Sequence, residues 1–212
     1  MTTRRVVTSI VLLIVIAIGV LAAPVLRLWW GGAPQEEAQR IIGMTGIGPG
    51  SVVAEIGAGS GEMAEAVAAR VLPNGRMYVT EVSDSSLTDL AALRARHGWN
   101  HFDVRRGEAS ATGLPDQCCD VLYMRHVFHH LDDPAAMSVA LRRATRSGGH
   151  IVVIDFDPIW LLGVIAPITQ NTGGHGVTAR DVTRHLQSAG FNVVRDDSDW
   201  TAGSYMVMFR AR

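Results

Sequence analysis

Lysine is absent: all 19 cationic side chains of this 212-residue chain are arginine. That removes Schiff-base chemistry, a lysine general base and the lysine of a phosphate-binding P-loop. Cysteine is scarce as well. The two present, Cys118 and Cys119, adjoin each other, and two are too few for a four-cysteine zinc site or a disulfide framework. We read them as packing or loop residues rather than nucleophiles. Excess charge is missing too, the formal net charge being -1, so no global positive field draws the chain to nucleic acid or anionic lipid. Internal repeats and low-complexity tracts do not occur. With 48% apolar and 18% charged residues the chain is too apolar to be disordered, and its length suits one domain with an appendage.

The apolar excess gathers at one end. From Val6 to Leu26 no charge interrupts the run, which at ~1.5 Å per helical residue reaches about 30 Å, the thickness of a hydrocarbon core. Arg4 and Arg5 precede it; Arg27, Trp29 and Trp30 follow, the tryptophans suiting a membrane interface. Residues 1–30 are therefore expected to form one transmembrane helix, a single-pass anchor. A cleaved signal peptide is the alternative, with Ala22 and Ala23 as small residues before a cut, although Pro24 opposes cleavage there and the run is long. Residues 31–35 read as a linker and residues 36–212 as the folded domain. Arginine counting mildly places that domain outside the cell.

Beyond the linker, strands and helices alternate. Helical signals cover 36–45, 61–72, 86–97 and 178–189, the third with Leu87, Leu90, Ala91 and Leu93 inward. A further helix opens at Asp133-Pro134 as N-cap and first residue and closes at Gly148-Gly149. Strand signals fall at 51–57, 76–80, 101–105, 120–124, 150–156, 191–196 and 204–210. This alternation predicts an α/β fold, a doubly wound, Rossmann-like parallel sheet. The last two strands, with no crossover helix between them, should form an antiparallel hairpin at one edge.

The informative residues sit where strands end. Glu55-Ile56-Gly57-Ala58-Gly59-Ser60-Gly61 joins the first strand to its helix; alternate glycines let the backbone turn and a ligand approach. Glu81 ends the second strand, placed to accept hydrogen bonds from ribose hydroxyls. Glu108 and Ala109 follow the third, placed to meet an adenine edge. A dinucleotide site needs G-x-G-x-x-G and tolerates no carboxylate beside its pyrophosphate, whereas here the spacing is G-x-G-x-G with Glu55 just before it. A carboxylate there suits the ammonium of a methionine tail, and the charge pattern favours S-adenosyl-L-methionine.

At these residues the chain resembles a family. VVAEIGAGSGEMAEAV, MYVTEVS, GEASATGLPDQCCDVLYMRHVFHHL and SGGHIVVIDF are similar, in order and spacing, to the successive motifs of class I S-adenosylmethionine-dependent methyltransferases, especially the small-molecule branch of the type 11/25 kind. The likeness runs over about residues 36–212. It implies a seven-stranded sheet with an antiparallel last strand. It also implies cofactor contacts from Glu55, Gly57, Ala58, Gly59 and Gly61 at the methionine end, Glu81 and Val82 at the ribose, Glu108 and Ala109 at the adenine, and Met124 beside the cofactor. Glu replaces the commoner Asp at 55 and 108, and Arg125-His126 replace small residues.

The reaction so implied is in-line displacement of a methyl group from a sulfonium, for which the protein aligns the partners and excludes water. An oxygen acceptor also calls for a base, and His126 and His129 are the candidates just past the fourth strand, with His130 and His175 nearby. His126 and His130 lack a third ligand for a metal, so no metal is expected. Asp155 ends the fifth strand and faces substrate or water. Residues 158–168 (PIWLLGVIAPI) are nearly all apolar but half the length of a membrane span; they read as a cover for a hydrophobic, lipid-like or small-molecule acceptor, or as a buried helix. No amide-binding N-P-P-Y-like segment supports a nucleic-acid partner. An adenosyl-binding scaffold without turnover and an NAD-dependent oxidoreductase are the other readings. Cofactor supply favours a cytoplasmic-facing domain if the chain is an enzyme, against the arginine count.

Overall fold

In the computed structural model, which describes residues 34–158, 176–201 and 204–212, the domain begins with helix α1 (Pro34–Thr45). Alternating elements follow: β1 (Val52–Ile56), α2 (Glu62–Val71), β2 (Arg76–Glu81), α3 (Asp84–His97), β3 (Phe102–Arg106) and β4 (Cys119–Arg125). A 3₁₀ turn (Phe128–His130) leads to α4 (Pro134–Ala144), β5 (Thr145–Phe156), α5 (Ala179–Ser188), β6 (Phe191–Thr201) and β7 (Ser204–Ala211). The seven strands form one sheet in the order β3-β2-β1-β4-β5-β7-β6. β1 to β5 run parallel, and β7 pairs antiparallel with both β5 and β6. The order reverses between β1 and β4, and in such sheets the crevice beyond the strand ends at the reversal is where ligands bind.

Both faces of the sheet are buried, which is why its central strands read as apolar runs rather than alternating ones. On one face Val53, Met77, Val121 and Val152 pack under α1, α2 and α3 through Ile41, Met63, Val67 and Leu90. On the other, Ala54, Leu122, Met124 and Ile151 pack under α4 and α5 through Met137, Leu141, Val182 and Leu186. Each such side chain larger than alanine contributes about 1.5–3 kcal/mol on burial. Helix starts follow their capping residues: Ser83 accepts from the Ser86 N–H, Asp133 from Ala136 with Pro134 as first helical residue, and Thr178 from Asp181.

Several sequence expectations are corrected. Pro34 and Gln35 already belong to α1 rather than to the linker. Ala91 is exposed and only Leu90 and Leu93 are buried on α3. Helix α4 ends at Ala144, not at the Gly148-Gly149 pair: the Thr145 hydroxyl donates to Leu141 O, the chain turns extended there, and the register against β4 jumps between Cys119 and Val121 to take up the intervening residues. Cys118 and Cys119 do pack as expected, Cys119 fully buried and Cys118 against the same core, and they are also joined to each other as a disulfide. Among the described residues no helix is long and apolar enough to cross a membrane. The expected transmembrane helix (residues 1–30), most of the apolar segment at 158–168 and His175 lie outside the described residues.

Candidate functional site

The loop after β1 is drawn tightly over β2, its Gly57 and Ala58 N–H groups both donating to Thr80 O at 3.0 Å. The backbone then enters α2 through Gly61 at φ 85°, a left-handed conformation that glycine adopts without a Cβ penalty. At two points a Cβ would also crowd a neighbouring side chain, which would have to shift. A Cβ on Gly57 would stand 2.5 Å from Val127 Cγ2, and one on Gly61 would stand 2.7 Å from Leu93 Cδ2. Gly59 differs: a Cβ there would meet nothing within 4 Å, so the space above the loop is open.

A cavity of about 500 Å³ lies beside this loop, over the carboxyl ends of β1, β2 and β3. Gly57, Glu81, Val82, Glu108 and Ala109 line it, five of the residues expected from sequence. Glu81 is held from both sides, Oε1 accepting from the Gly59 N–H at 2.9 Å and Oε2 from the Val82 N–H at 2.8 Å. A carboxylate offers about four lone-pair sites, so each oxygen keeps acceptor capacity. Glu108 is positioned by a two-residue bridge to Ala111, whose carbonyl accepts its N–H at 2.8 Å. The remaining charged residue of the lining is Asp132. No arginine lines the cavity among the described residues, so its charge is wholly acidic.

The other expected cofactor residues are not in that lining. Ala58 and Met124 are buried in the core, Gly59 holds Glu81 through its N–H, and Gly61 turns the chain into α2. Glu55 is only 3% exposed and lies beneath the loop, its Oε2 accepting from the Tyr123 hydroxyl at 2.9 Å. Burial pushes its carboxyl up to about 8, against the lowering effects of the Tyr123 hydrogen bond and Arg125. Three acidic ends in one hollow were expected; two of them are there, and the third supports the loop from the core.

The segment after β4 carries the histidines. His126 has φ 54° and stacks edge-on against Phe156. Its Nε2 is buried without a hydrogen-bond partner, and burial, helped by Arg125, lowers its pKa to about 4. His130 lines the cavity and is held below the usual range by burial and by His129. His129 is paired: its Nδ1 lies 2.7 Å from Asp155 Oδ1, and its N–H donates to Asp155 Oδ2 at 3.2 Å. Asp155 therefore meets a histidine, not water. Sequence reasoning missed this pair, the Glu55–Tyr123 bond, and an ion pair between Arg125 Nε and the fully buried Glu37 of α1. It also missed Thr112, Leu131 and Asp132 in the lining; the turn residues after His129-His130 were the only local signal for the last two. Among the described residues no group of three or more His, Cys, Asp or Glu is placed to hold a metal ion.

Residues 54–153 match the family model of the methyltransferase domain. That span runs from the middle of β1 to β5 and contains the whole cavity. Residues 54–153, just under half of the chain, thus resemble a methyltransferase domain. Around it, the chain is 25% identical over 119 residues to the ubiquinone/menaquinone biosynthesis C-methyltransferase UbiE of Cupriavidus taiwanensis, covering 56% of this chain and 49% of that protein. The chain thus spans about half the length of the curated relative it matches. In fold the chain resembles a SAM-dependent methyltransferase from Aquifex aeolicus, with a TM-score of 0.70 at 19% identity over 82% of this chain and 89% of that one. It resembles equally the [4+2]-cyclase SpnF, with a TM-score of 0.69 at 15% identity over 84% and 80%. Likeness at that identity fixes the architecture alone, since one fold hosts many reactions.

Proposed function

We propose that the chain transfers the methyl group of S-adenosyl-L-methionine to a small, apolar acceptor. The observation that carries this reading is the acidic lining of the cavity beside the glycine loop: Glu81, Glu108 and Asp132 line it, and no arginine does among the described residues. A pyrophosphate would be repelled there, whereas a sulfonium and an ammonium are attracted. This also argues against the NAD-dependent reading. The residues fit the cofactor chemically: Glu81 would accept from the ribose hydroxyls, Glu108 and the Ala109 N–H would meet the adenine edge, and the open space over Gly59 would take the methionine end, with Glu55 behind it. When bound, the cofactor supplies an electrophilic methyl group. The protein contributes alignment, exclusion of water and a nearby proton acceptor.

The apolar acceptor is supported by the cavity's apolar walls, Ile56, Val127, Leu131 and Met137, and by the matched relative, whose name assigns it to quinone biosynthesis. An apolar acceptor also agrees with a single-pass anchor in residues 1–30, which we place at the membrane with the domain on the cytoplasmic side. Calorimetry on the full chain tests the cofactor. S-adenosylhomocysteine should bind and NAD should not; binding of NAD alone would overturn the reading. Transfer from labelled donor into a lipid and metabolite extract separates an enzyme from an adenosyl-binding scaffold. A reporter fused after Arg212 reads the side of the membrane.

A further inference from the structure

We propose that Cys118 and Cys119 form a reversible redox site, opened by low-molecular-weight thiols and closed by the corresponding disulfides. In it Cys118 is the sulfur that exchanges and Cys119 the one that resolves. The inference stands apart from the methyl-transfer reading. The two residues are joined as a disulfide where β4 begins, whereas the acidic cavity lies over the carboxyl ends of the strands. The length of β4, about 20 Å at ~3.3 Å per residue, separates the two. A structural cross-link is the ordinary role of a disulfide, and adjacency argues against it. A cross-link stabilises by closing a loop of the unfolded chain, the more so the longer the loop. Consecutive residues enclose no loop, so this bond takes almost nothing from the unfolded ensemble. Their Cα atoms are 3.8 Å apart, the spacing across one trans peptide. That is closer than the about 4.4 Å at which disulfides usually begin, and such departures make the bond easier to reduce.

Burial divides the roles. Cys119 is fully buried, while Cys118 is half-buried at the edge of the same core, so Cys118 is the sulfur offered to a dissolved thiol. The flanking backbone makes the reaction reversible. Gln117, at φ 52°, donates its N–H to Arg143 O at 2.7 Å and its side-chain amide to Thr145 O at 2.9 Å. Its Oε1 accepts from the Ser147 N–H at 3.1 Å. On the other side Asp120 accepts from the Val52 N–H at 2.8 Å. None of these bonds uses a sulfur, so they keep the two cysteines side by side when the bond between them is open. The exchange balances. Cys118 Sγ, as thiolate, attacks one sulfur of a small disulfide; that S–S bond breaks and one small thiol leaves with its electron pair. Cys119 Sγ, losing its proton, then attacks Cys118 Sγ and expels the second small thiol. The protein pair gives up two electrons and two protons, and the small disulfide gains both. Reduction runs the same steps backwards, beginning with a small thiolate on Cys118 Sγ.

The test uses the wild-type full chain with glutathione as the probe. The chain is equilibrated in mixtures of reduced and oxidised glutathione, starting once from the reduced and once from the oxidised protein. It is then quenched in acid, alkylated and weighed by mass spectrometry. Two species should appear, one unalkylated and lighter by two hydrogens, the other doubly alkylated. Their ratio should change about tenfold for each tenfold change in the square of reduced glutathione over oxidised glutathione, with the same values from either start. A pair that stays closed in every mixture would be an inert cross-link, and one that stays open would be two packed thiols; either overturns the proposal. So does a chain carrying one glutathione as its main form, because Cys119 would then not resolve. Brief alkylation of the reduced folded chain reads the division of roles. Fragment masses should show Cys118 modified about tenfold faster than Cys119, as exposure requires, and equal rates would refute the assignment. Cys119→Ser, with no resolving sulfur, should instead retain one glutathione on Cys118, and its absence would count equally against the proposal.

Discussion

Glu55 carries opposing demands in one side chain. Its carboxyl is 3% exposed, and burial lifts its pKa from 4.5 to about 8 although Tyr123 and Arg125 pull it down. The folded state therefore binds this proton more tightly than the unfolded chain does. The resulting stability is fully present below pH 4.5 and is lost as pH rises through about 8. Glu55→Gln, permanently neutral, should remove that loss, worth up to about 5 kcal/mol, so that thermal unfolding followed from pH 5 to 9 shows a flatter curve than the wild type. His126 imposes the opposite slope. Burial depresses it to about 4, so its contribution is present above pH 6.5 and disappears as pH falls through 4. His126→Asn keeps a residue tolerant of φ 54° and should make the chain more resistant to acid, by roughly 3 kcal/mol, in denaturant melts at pH 4.

At the scale of elements, the loop between β1 and α2 predicts a contrast between two glycines. Gly61→Ala forces φ 85° on a residue with a Cβ and sets that atom 2.7 Å from Leu93 Cδ2 and 2.9 Å from Leu90 Cδ2. Strain and overpacking together should cost about 2–4 kcal/mol in urea unfolding. Gly59→Ala has φ 54° but meets no atom, so it should cost only about 1 kcal/mol while weakening S-adenosylhomocysteine binding more than Gly61→Ala does. The same loop shows which features a sequence can carry. Glycine spacing, the cap at Asp133 and the acidic ends Glu81 and Glu108 are local patterns and were legible, whereas the cap at Ser83 was missed because the helix was expected to start at Ser86. Glu55–Tyr123 and His129–Asp155 join residues 68 and 26 apart; they depend on the alignment of β1 with β4 and of β4 with β5, which no single stretch encodes. The end of α4 was misplaced because Gly148-Gly149 looked like a stop, while Thr145 had already ended the helix through its own hydroxyl.

The whole molecule is nearly neutral, yet its cavity is acidic, so the field that matters is local rather than global. Ligand binding should then register as stability. A ligand at a hundredfold its dissociation constant adds about 2.7 kcal/mol to a folded protein, which for a domain of this size is an upward shift of about 5–10 °C in melting temperature; NAD should give none. Charge separates substrate from product more sharply. S-adenosylmethionine carries one positive charge more than S-adenosylhomocysteine, and that charge should be attracted by the carboxylates of Glu81, Glu108 and Asp132. At low ionic strength the charged donor should bind more tightly than the neutral product, which favours exchange after each transfer. Glu108 is exposed, so salt reaches this field. As the screening length falls from about 30 Å at 0.01 M to about 3 Å at 1 M, the two affinities should converge, the donor weakening while the product changes little. Calorimetry of both ligands across that range measures the gap directly. A gap that is absent at low salt, or one that salt does not narrow, would mean that the acidic lining does not act on the sulfonium.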